Sequence, residues 1–300
     1  MNITLKDGGT GQELIHRSTR PAHPLWSAKV MMEEPDLVQQ VHEDYIRAGA
    51  RLITLNTYST TPERLEREGA GDMCDALYDQ ARMLVERARD ATGIEVKIGA
   101  CLPPLHGSYN PDMSRSHDDL LPAYREIAEK QAGCADVMLC ETMSSISELT
   151  ASARAAQETG VPTYASMSLM DDGSARLRSG ESLADALEAL GAVAPDAIGL
   201  NCSKPEVVSR HLPQLADTGL PVGAYANGFT GIDALTIGGT VDGLSARTDV
   251  TPARYTEFCQ GWIDMGATLL GGCCEVGPAH IKHLANHLKQ NGHTIIGTLA

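Results

Sequence analysis

Three cysteines carry the sharpest chemical signal in the sequence. Cys202 ends the apolar run 196–202, directly after an asparagine, and Cys273 and Cys274 follow a Gly-Gly pair at the end of the run 267–272. Vicinal cysteines do not readily pair with each other, but after two glycines the backbone can turn both sulfurs toward one point. Three thiolates meeting at one point suit zinc, which prefers tetrahedral coordination, and three protein ligands leave the fourth position open for a reacting group. The spacing is not that of a zinc finger, so the competing reading of small buried apolar side chains stays open. Cys74, Cys101, Cys134, Cys140 and Cys259 show no such pattern and read as core filler. Asp7 and Glu141 form the next pair. Each stands at the end of an apolar strand pattern, Asp7 directly after the run 3–6 and Glu141 closing the run 135–141, where a carboxylate can accept hydrogen bonds from a ligand ammonium. The alternative is a loop carboxylate that caps backbone N–H groups.

These residues need elements to bring them together. Short runs rich in β-branched residues alternate with longer amphipathic stretches. The runs are 3–6, 51–57, 95–101, 135–141, 162–169, 196–202, 221–227 and 267–272, and the helical patterns are 35–48, 72–92, 118–134, 145–159, 181–193, 205–218, 252–265 and 278–290. Local signals support the helices. Pro35 opens the first and Gly49 stands where a left-handed terminating residue belongs. Thr251-Pro252 reads as a cap followed by a first helical residue, with Phe258 and Trp262 on one face. Eight strand–helix units predict an α/β fold, a single (β/α)8 TIM barrel over residues 1–300. A doubly wound sheet is the runner-up, but residues 7–11 lack the G-x-G-x-x-G spacing of a dinucleotide turn and a strong helix behind it. In a barrel, chemistry sits at the C-terminal ends of the strands. That rim would gather Asp7, Asn56, Thr57, Glu141, Cys202, Asn227 and the Cys273-Cys274 pair. The Pro-, Gly- and Ser-rich segment 102–118, with His106 and His117, reads as a lid or binding loop.

Composition narrows the functions. Lys plus Arg total 24 against 39 Asp plus Glu, a formal charge of −15. So acidic a chain argues against nucleic acid and anionic membranes as partners. No apolar run approaches the length of a membrane span, and the N-terminus lacks the pattern of a signal peptide. The expectation is a cytoplasmic protein with reduced thiols, acting on small molecules, with homo-oligomerisation left open. Only 4% of residues are Phe, Trp or Tyr, so aliphatic side chains must fill most of the core.

Six segments together resemble the homocysteine S-methyltransferase family: DGGTGQEL at 7–14, PLWS at 24–27, NTYSTT at 56–61, ET at 141–142, GLNCSKPE at 199–206 and GGCCEVGPAHI at 271–281. The resemblance keeps its order over nearly the whole chain. It implies a zinc barrel with Cys202, Cys273 and Cys274 as catalytic metal ligands. It implies that Asp7 and Glu141 hold the amino-acid end of homocysteine, and that Gly8, Gly9 and Thr57 line the same pocket. Trp26 and Asn227 would then belong to the donor side, although Trp26 reads equally as helix-start packing. The implied reaction moves a methyl group from a cationic donor to the homocysteine thiol, giving methionine. Residues 225–229 and Glu275-Val276 depart from the family pattern, and Ser59 and Thr142 stand where betaine-type relatives carry tyrosines. The thinned aromatic cage points to a sulfonium donor resembling S-methylmethionine. Betaine or another quaternary ammonium is the alternative, as is a thiol- and zinc-binding barrel without turnover.

Overall fold

The computed structural model describes all 300 residues. Nine strands form one parallel sheet: β1 (Asn2–Leu5), β2 (Leu52–Thr54), β3 (Lys97–Leu102), β4 (Val137–Met143), β5 (Thr163–Met167), β6 (Ala197–Asn201), β7 (Val222–Tyr225), β8 (Ala267–Leu270) and β9 (Thr294–Ile296). Their order runs β2-β3-β4-β5-β6-β7-β8-β1-β9, and a bridge from Lys6 to Leu52 brings β1 against β2. The Asp7 amide donates to the Leu52 carbonyl at 3.0 Å, and the Arg51 amide to the Leu5 carbonyl at 2.8 Å. The result is the expected TIM barrel, with all eight anticipated strands inside or within a residue or two of their predicted ranges. The short β9 is an addition. It pairs with the first residues of β1, from Asn2 with Thr294 to Thr4 with Ile296.

Eleven helices surround the sheet: α1 (Thr10–Arg17), α2 (Trp26–Glu33), α3 (Pro35–Ala48), α4 (Pro62–Arg67), α5 (Cys74–Thr92), α6 (His117–Ala132), α7 (Ile146–Glu158), α8 (Leu183–Val193), α9 (Pro205–Ala216), α10 (Pro252–Asp264) and α11 (Pro278–Gln290). Eight of them match predicted helical stretches. The helix α1 corrects the expectation that no strong helix follows the glycines at 8–11. Caps fix the starts: Thr61, Ser145, Ser182 and Thr251 each accept from the third amide of their helix, and Ser116 forms a full capping box with Asp119. Gly49 ends α3 at φ +118°, a conformation that carries little cost only without a Cβ.

Aliphatic side chains make up most of the shell between helices and sheet, with Tyr45, Tyr78, Tyr124, Tyr255 and Trp262 buried among them. The barrel interior is a separate, smaller cluster. Leu52, Val137, Leu139, Ala197 and Leu269 surround two fully buried tyrosines, Tyr164 and Tyr225, with ring centroids 6.0 Å apart. Tyr164 fits because Gly199 and Gly223 present no side chain to its ring. On α10, Phe258 and Trp262 stack at 6.3 Å, as their spacing predicted. No helix is long and apolar enough to cross a membrane.

Two buried ionisable groups give the fold a pH signature. His42 on α3 is fully buried with neither ring nitrogen hydrogen-bonded. Burial pushes its imidazole from the usual 6.5 down to about 4, against the pull of Asp7. Between those values the unfolded chain binds the extra proton, so His42's contribution to stability is full above pH 6.5 and is lost as pH falls toward 4. Glu148, in the first turn of α7, acts in the opposite sense. Burial pushes its carboxyl up to about 7, so the folded chain holds the extra proton and gains stability as pH falls. Denaturant unfolding at pH 7 and pH 4.5 should show that His42→Leu removes an acid-side loss of about 2 kcal/mol relative to the parent. Equal pH dependence in the two proteins would mean that His42 titrates alike in the folded and unfolded chain and is not held neutral by burial.

Candidate metal centre and cavity

The three cysteines meet at the mouth of the barrel. Their sulfurs all lie within 4.8 Å of one another. Cys202 and Cys273 are joined as a disulfide, with Cα atoms 5.6 Å apart, while Cys274 is free. The expectation of three thiolates therefore describes the reduced form of this cluster rather than the one seen. The backbone is tightly held on both sides. The Cys202 amide donates to the Tyr225 carbonyl at 3.1 Å, and its carbonyl accepts from Asn227 Nδ2 at 2.9 Å and Ser168 Oγ at 3.2 Å. The Cys273 amide donates to Ala226 at 3.1 Å, and the Cys274 carbonyl accepts from Gly228 at 2.9 Å. Tyr255 Oη donates to Gly271 at 2.8 Å from behind.

Gly8 and Gly9 sit against this loop. A side chain at Gly8 would run into the Val276 carbonyl, and one at Gly9 into the Cys273 carbonyl. The contact is sealed by hydrogen bonds from Gly9 N to Val276 O and from Gly272 N to Asp7 O, both 3.0 Å. Burial, then the neighbouring Glu275 carboxylate, push the Cys274 thiol up to about 12. Unaided, it stays protonated at neutral pH. A soft divalent cation lowers thiol pKa values strongly. Three close sulfurs on a tightly held backbone fit a thiolate-bound metal once the disulfide is reduced, and the Cys274 thiol needs such a cation to ionise.

A cavity of about 140 Å³ opens above the sulfurs. Glu141 and Lys6 form part of its floor. A register shift between Cys140 and Met143 interrupts the β4–β5 pairing, and Thr142 adopts φ +67° beside it. Asn201 braces the break. Its Oδ1 accepts from the Thr142 amide at 2.8 Å and its Nδ2 donates to Thr142 Oγ1 at 2.9 Å. Glu141 accepts from the Cys101 thiol at 3.2 Å and from Tyr225 Oη at 3.1 Å. Cys101, read from sequence as filler, thus belongs to the cavity. Ser145 caps the helix that follows.

The remaining predicted site residues divide. Trp26 lines the cavity at φ +46°, with its indole N–H buried and unpartnered. Asp7 does not line it. The residue is wholly buried, and its carboxylate accepts from Thr54 N and Thr54 Oγ1, both at 2.8 Å, beside Lys6 Nζ at 3.2 Å. Thr57 turns away to donate to Gln131 at 2.8 Å. Asn227 is a strut under Cys202 that also accepts from the Phe229 amide at 3.2 Å. His106 reaches the outer wall of the cavity, whereas His117 starts α6 and bonds Thr150 at 3.0 Å. Glu275 pairs with His16 at 3.0 Å.

Sequence reasoning missed Lys6, Tyr58, Tyr109 and Phe229, all of which face the cavity. Tyr109 Oη lies 3.0 Å from the Cys202 sulfur, and Tyr58 meets Trp26 edge-on at 5.8 Å. Tyr58 was visible within NTYSTT at a strand end. Tyr109 and Phe229 sit in long loops, whose path no local pattern gives.

The chain matches the family profile described as homocysteine S-methyltransferase over residues 4–288. It is 32% identical to the homocysteine S-methyltransferase of Escherichia coli K12 across 94% of both chains. Crystal structures of the E. coli homocysteine methyltransferase MmuM superimpose closely. The metallated form gives a TM-score of 0.78 at 28% identity over 96% of both chains. The oxidized form gives 0.79 at 27% identity, covering 95% of this chain and 96% of the other. The chain belongs to the homocysteine S-methyltransferase family and is a methyltransferase of that family.

Proposed function

We propose that the protein transfers a methyl group from a sulfonium donor resembling S-methylmethionine to the thiol of homocysteine, with zinc held by Cys202, Cys273 and Cys274. The observation that carries this reading is the three-sulfur cluster at the base of a cavity whose floor presents Glu141. When bound, zinc would supply the positive charge that keeps a thiol deprotonated near neutral pH.

The chain's own groups do the rest. Glu141 accepts from the acceptor's ammonium, which fixes the thiol relative to the cysteines. Gly8 and Gly9 let the acceptor lie against backbone. The faces and edges of Trp26, Tyr58, Tyr109 and Phe229 form an apolar wall that favours a sulfonium over water. Sulfur donates an electron pair to the methyl carbon while the carbon–sulfonium bond breaks, and that pair leaves with the donor as a neutral thioether. The thiol proton is released to solvent. Because the leaving group departs uncharged, no general acid is required. The disulfide must be reduced by an external thiol before both Cys202 and Cys273 can serve as ligands.

Reduced, zinc-loaded protein should form methionine from homocysteine, read by mass spectrometry, in parallel reactions with S-methylmethionine, S-adenosylmethionine, dimethylsulfoniopropionate and betaine. Methionine from a sulfonium alone supports the reading, and methionine from betaine alone overturns the donor assignment. Cys202→Ala should lose zinc by elemental analysis and drop turnover at least about 10³-fold; full zinc and activity in that variant would remove Cys202 from the metal site. Gly9→Ala should keep its helical circular dichroism yet lose at least half its zinc, because the new methyl displaces the Cys273 carbonyl. Unchanged zinc content would show that the loop yields without moving the sulfurs.

A further inference from the structure

Lys6 is an unusual residue to find where it is. Its side chain points into the barrel, 3% exposed, at the floor of the cavity. Nζ lies 3.2 Å from Asp7 Oδ1, 4.0 Å from Glu141 Oε2, and 4.6 Å from the centroid of the Tyr225 ring. Burial by itself would lower its pKa, but the Asp7 and Glu141 carboxylates outweigh it and hold the ammonium above the ordinary lysine value.

The consequence is a reassignment of the floor. Asp7 is spent on Thr54 and Lys6 and does not reach the cavity. Where Lys6 and Glu141 line the cavity, one cation and one anion stand side by side; Arg64, Arg67 and Glu68 line it as well. An ammonium has three donors, and Asp7 uses one side of it. The remainder is available to a group lying between Lys6 and Glu141. A simple amine bound at Glu141 would meet the Lys6 charge at close range, and a simple carboxylate bound at Lys6 would meet Glu141. A zwitterion with opposite charges one carbon apart satisfies both.

Resting on the reading of this cavity as the homocysteine site, we propose that Lys6 binds the α-carboxylate of the acceptor while Glu141 binds its α-ammonium, so that the pair selects an intact amino acid over any thiol bearing only one charge. Lys6 is then a specificity-determining group for the acceptor.

Calorimetric titration of reduced, zinc-loaded protein tests this with homocysteine, aminopropanethiol (ammonium only) and mercaptobutanoate (carboxylate only). Homocysteine should bind at least about tenfold more tightly than either analogue, the scale of one charge-assisted hydrogen bond. Lys6→Met should weaken homocysteine at least about tenfold while leaving aminopropanethiol unchanged or tighter, and Lys6→Arg should keep most of the preference. Equal weakening of all three thiols in Lys6→Met would make Lys6 a structural counter-ion and overturn the proposal. If Lys6→Met does not fold, the parent protein still decides: aminopropanethiol binding as tightly as homocysteine overturns it. The homocysteine reading is scored separately by methionine formation in the same preparation. Zwitterion-selective binding without methyl transfer from any donor would sink that reading and leave the Lys6 assignment standing. Methyl transfer with a uniform Lys6→Met effect would do the reverse.

Discussion

At the end of β1 the backbone lies against the loop that follows β8 with no room for a side chain between them. Gly8 faces the Val276 carbonyl and Gly9 faces Cys273, and paired backbone hydrogen bonds close the contact. Everything at the barrel mouth depends on this approach. It sets how far Cys273 and Cys274 reach toward Cys202, which arrives from two strands away on the other side of β7. It also fixes Asp7, whose carbonyl accepts from Gly272 and whose carboxylate ties β1 to Thr54. A larger residue at either glycine would separate the carboxylate side of the cavity from its sulfur side.

Charge follows from the same geometry. Asp7, Lys6 and Glu141 are buried together, and isolated buried charges are costly unless paired and hydrogen-bonded. Asp7 receives two hydrogen bonds from Thr54, Glu141 receives Tyr225 Oη and the Cys101 thiol, and Lys6 lies between the two carboxylates. The barrel's buried tyrosines are part of this arrangement. Tyr225 offers its hydroxyl to Glu141 and its ring to Lys6, so a chain with few aromatics places one where both its polar tip and its face are used.

Much of this was legible in the sequence. The eight strands announced themselves as β-branched runs, and eight helices through caps and periodicity, because both signals are local. Asking which residues stand at the strand ends gathered the cysteines and Glu141 at one rim, and the structure places them around one cavity. That rule fails where parity and loop path decide. Asp7 and Lys6 are adjacent, and only the register of β1 against β2 shows that Lys6 turns into the barrel while Asp7 is consumed by Thr54. Thr57 and Asn227 lie just beyond the ends of β2 and β7, yet Gln131 and the Cys202 carbonyl capture them. The helices α1, α2 and α4 have eight residues or fewer, and β9 has three, too short for a period to emerge.

Backbone strain marks the site independently of any motif. Six non-glycine residues have left-handed φ: Trp26, Tyr109, Thr142, Ala194, Cys202 and Glu275. Four of them line the cavity, and Glu275 follows Cys274. Each costs on the order of 1–3 kcal/mol unless its surroundings over-determine it. At Thr142 and Cys202 those surroundings are specific: Asn201 grips Thr142 through both amide and hydroxyl, and Asn227 with Ser168 holds the Cys202 carbonyl. The two asparagines therefore brace the backbone that aims Glu141 and Cys202. A side chain turned by a strained residue must be held from behind, and the polar groups that do so take no part in the chemistry while remaining as necessary to it as the residues they support.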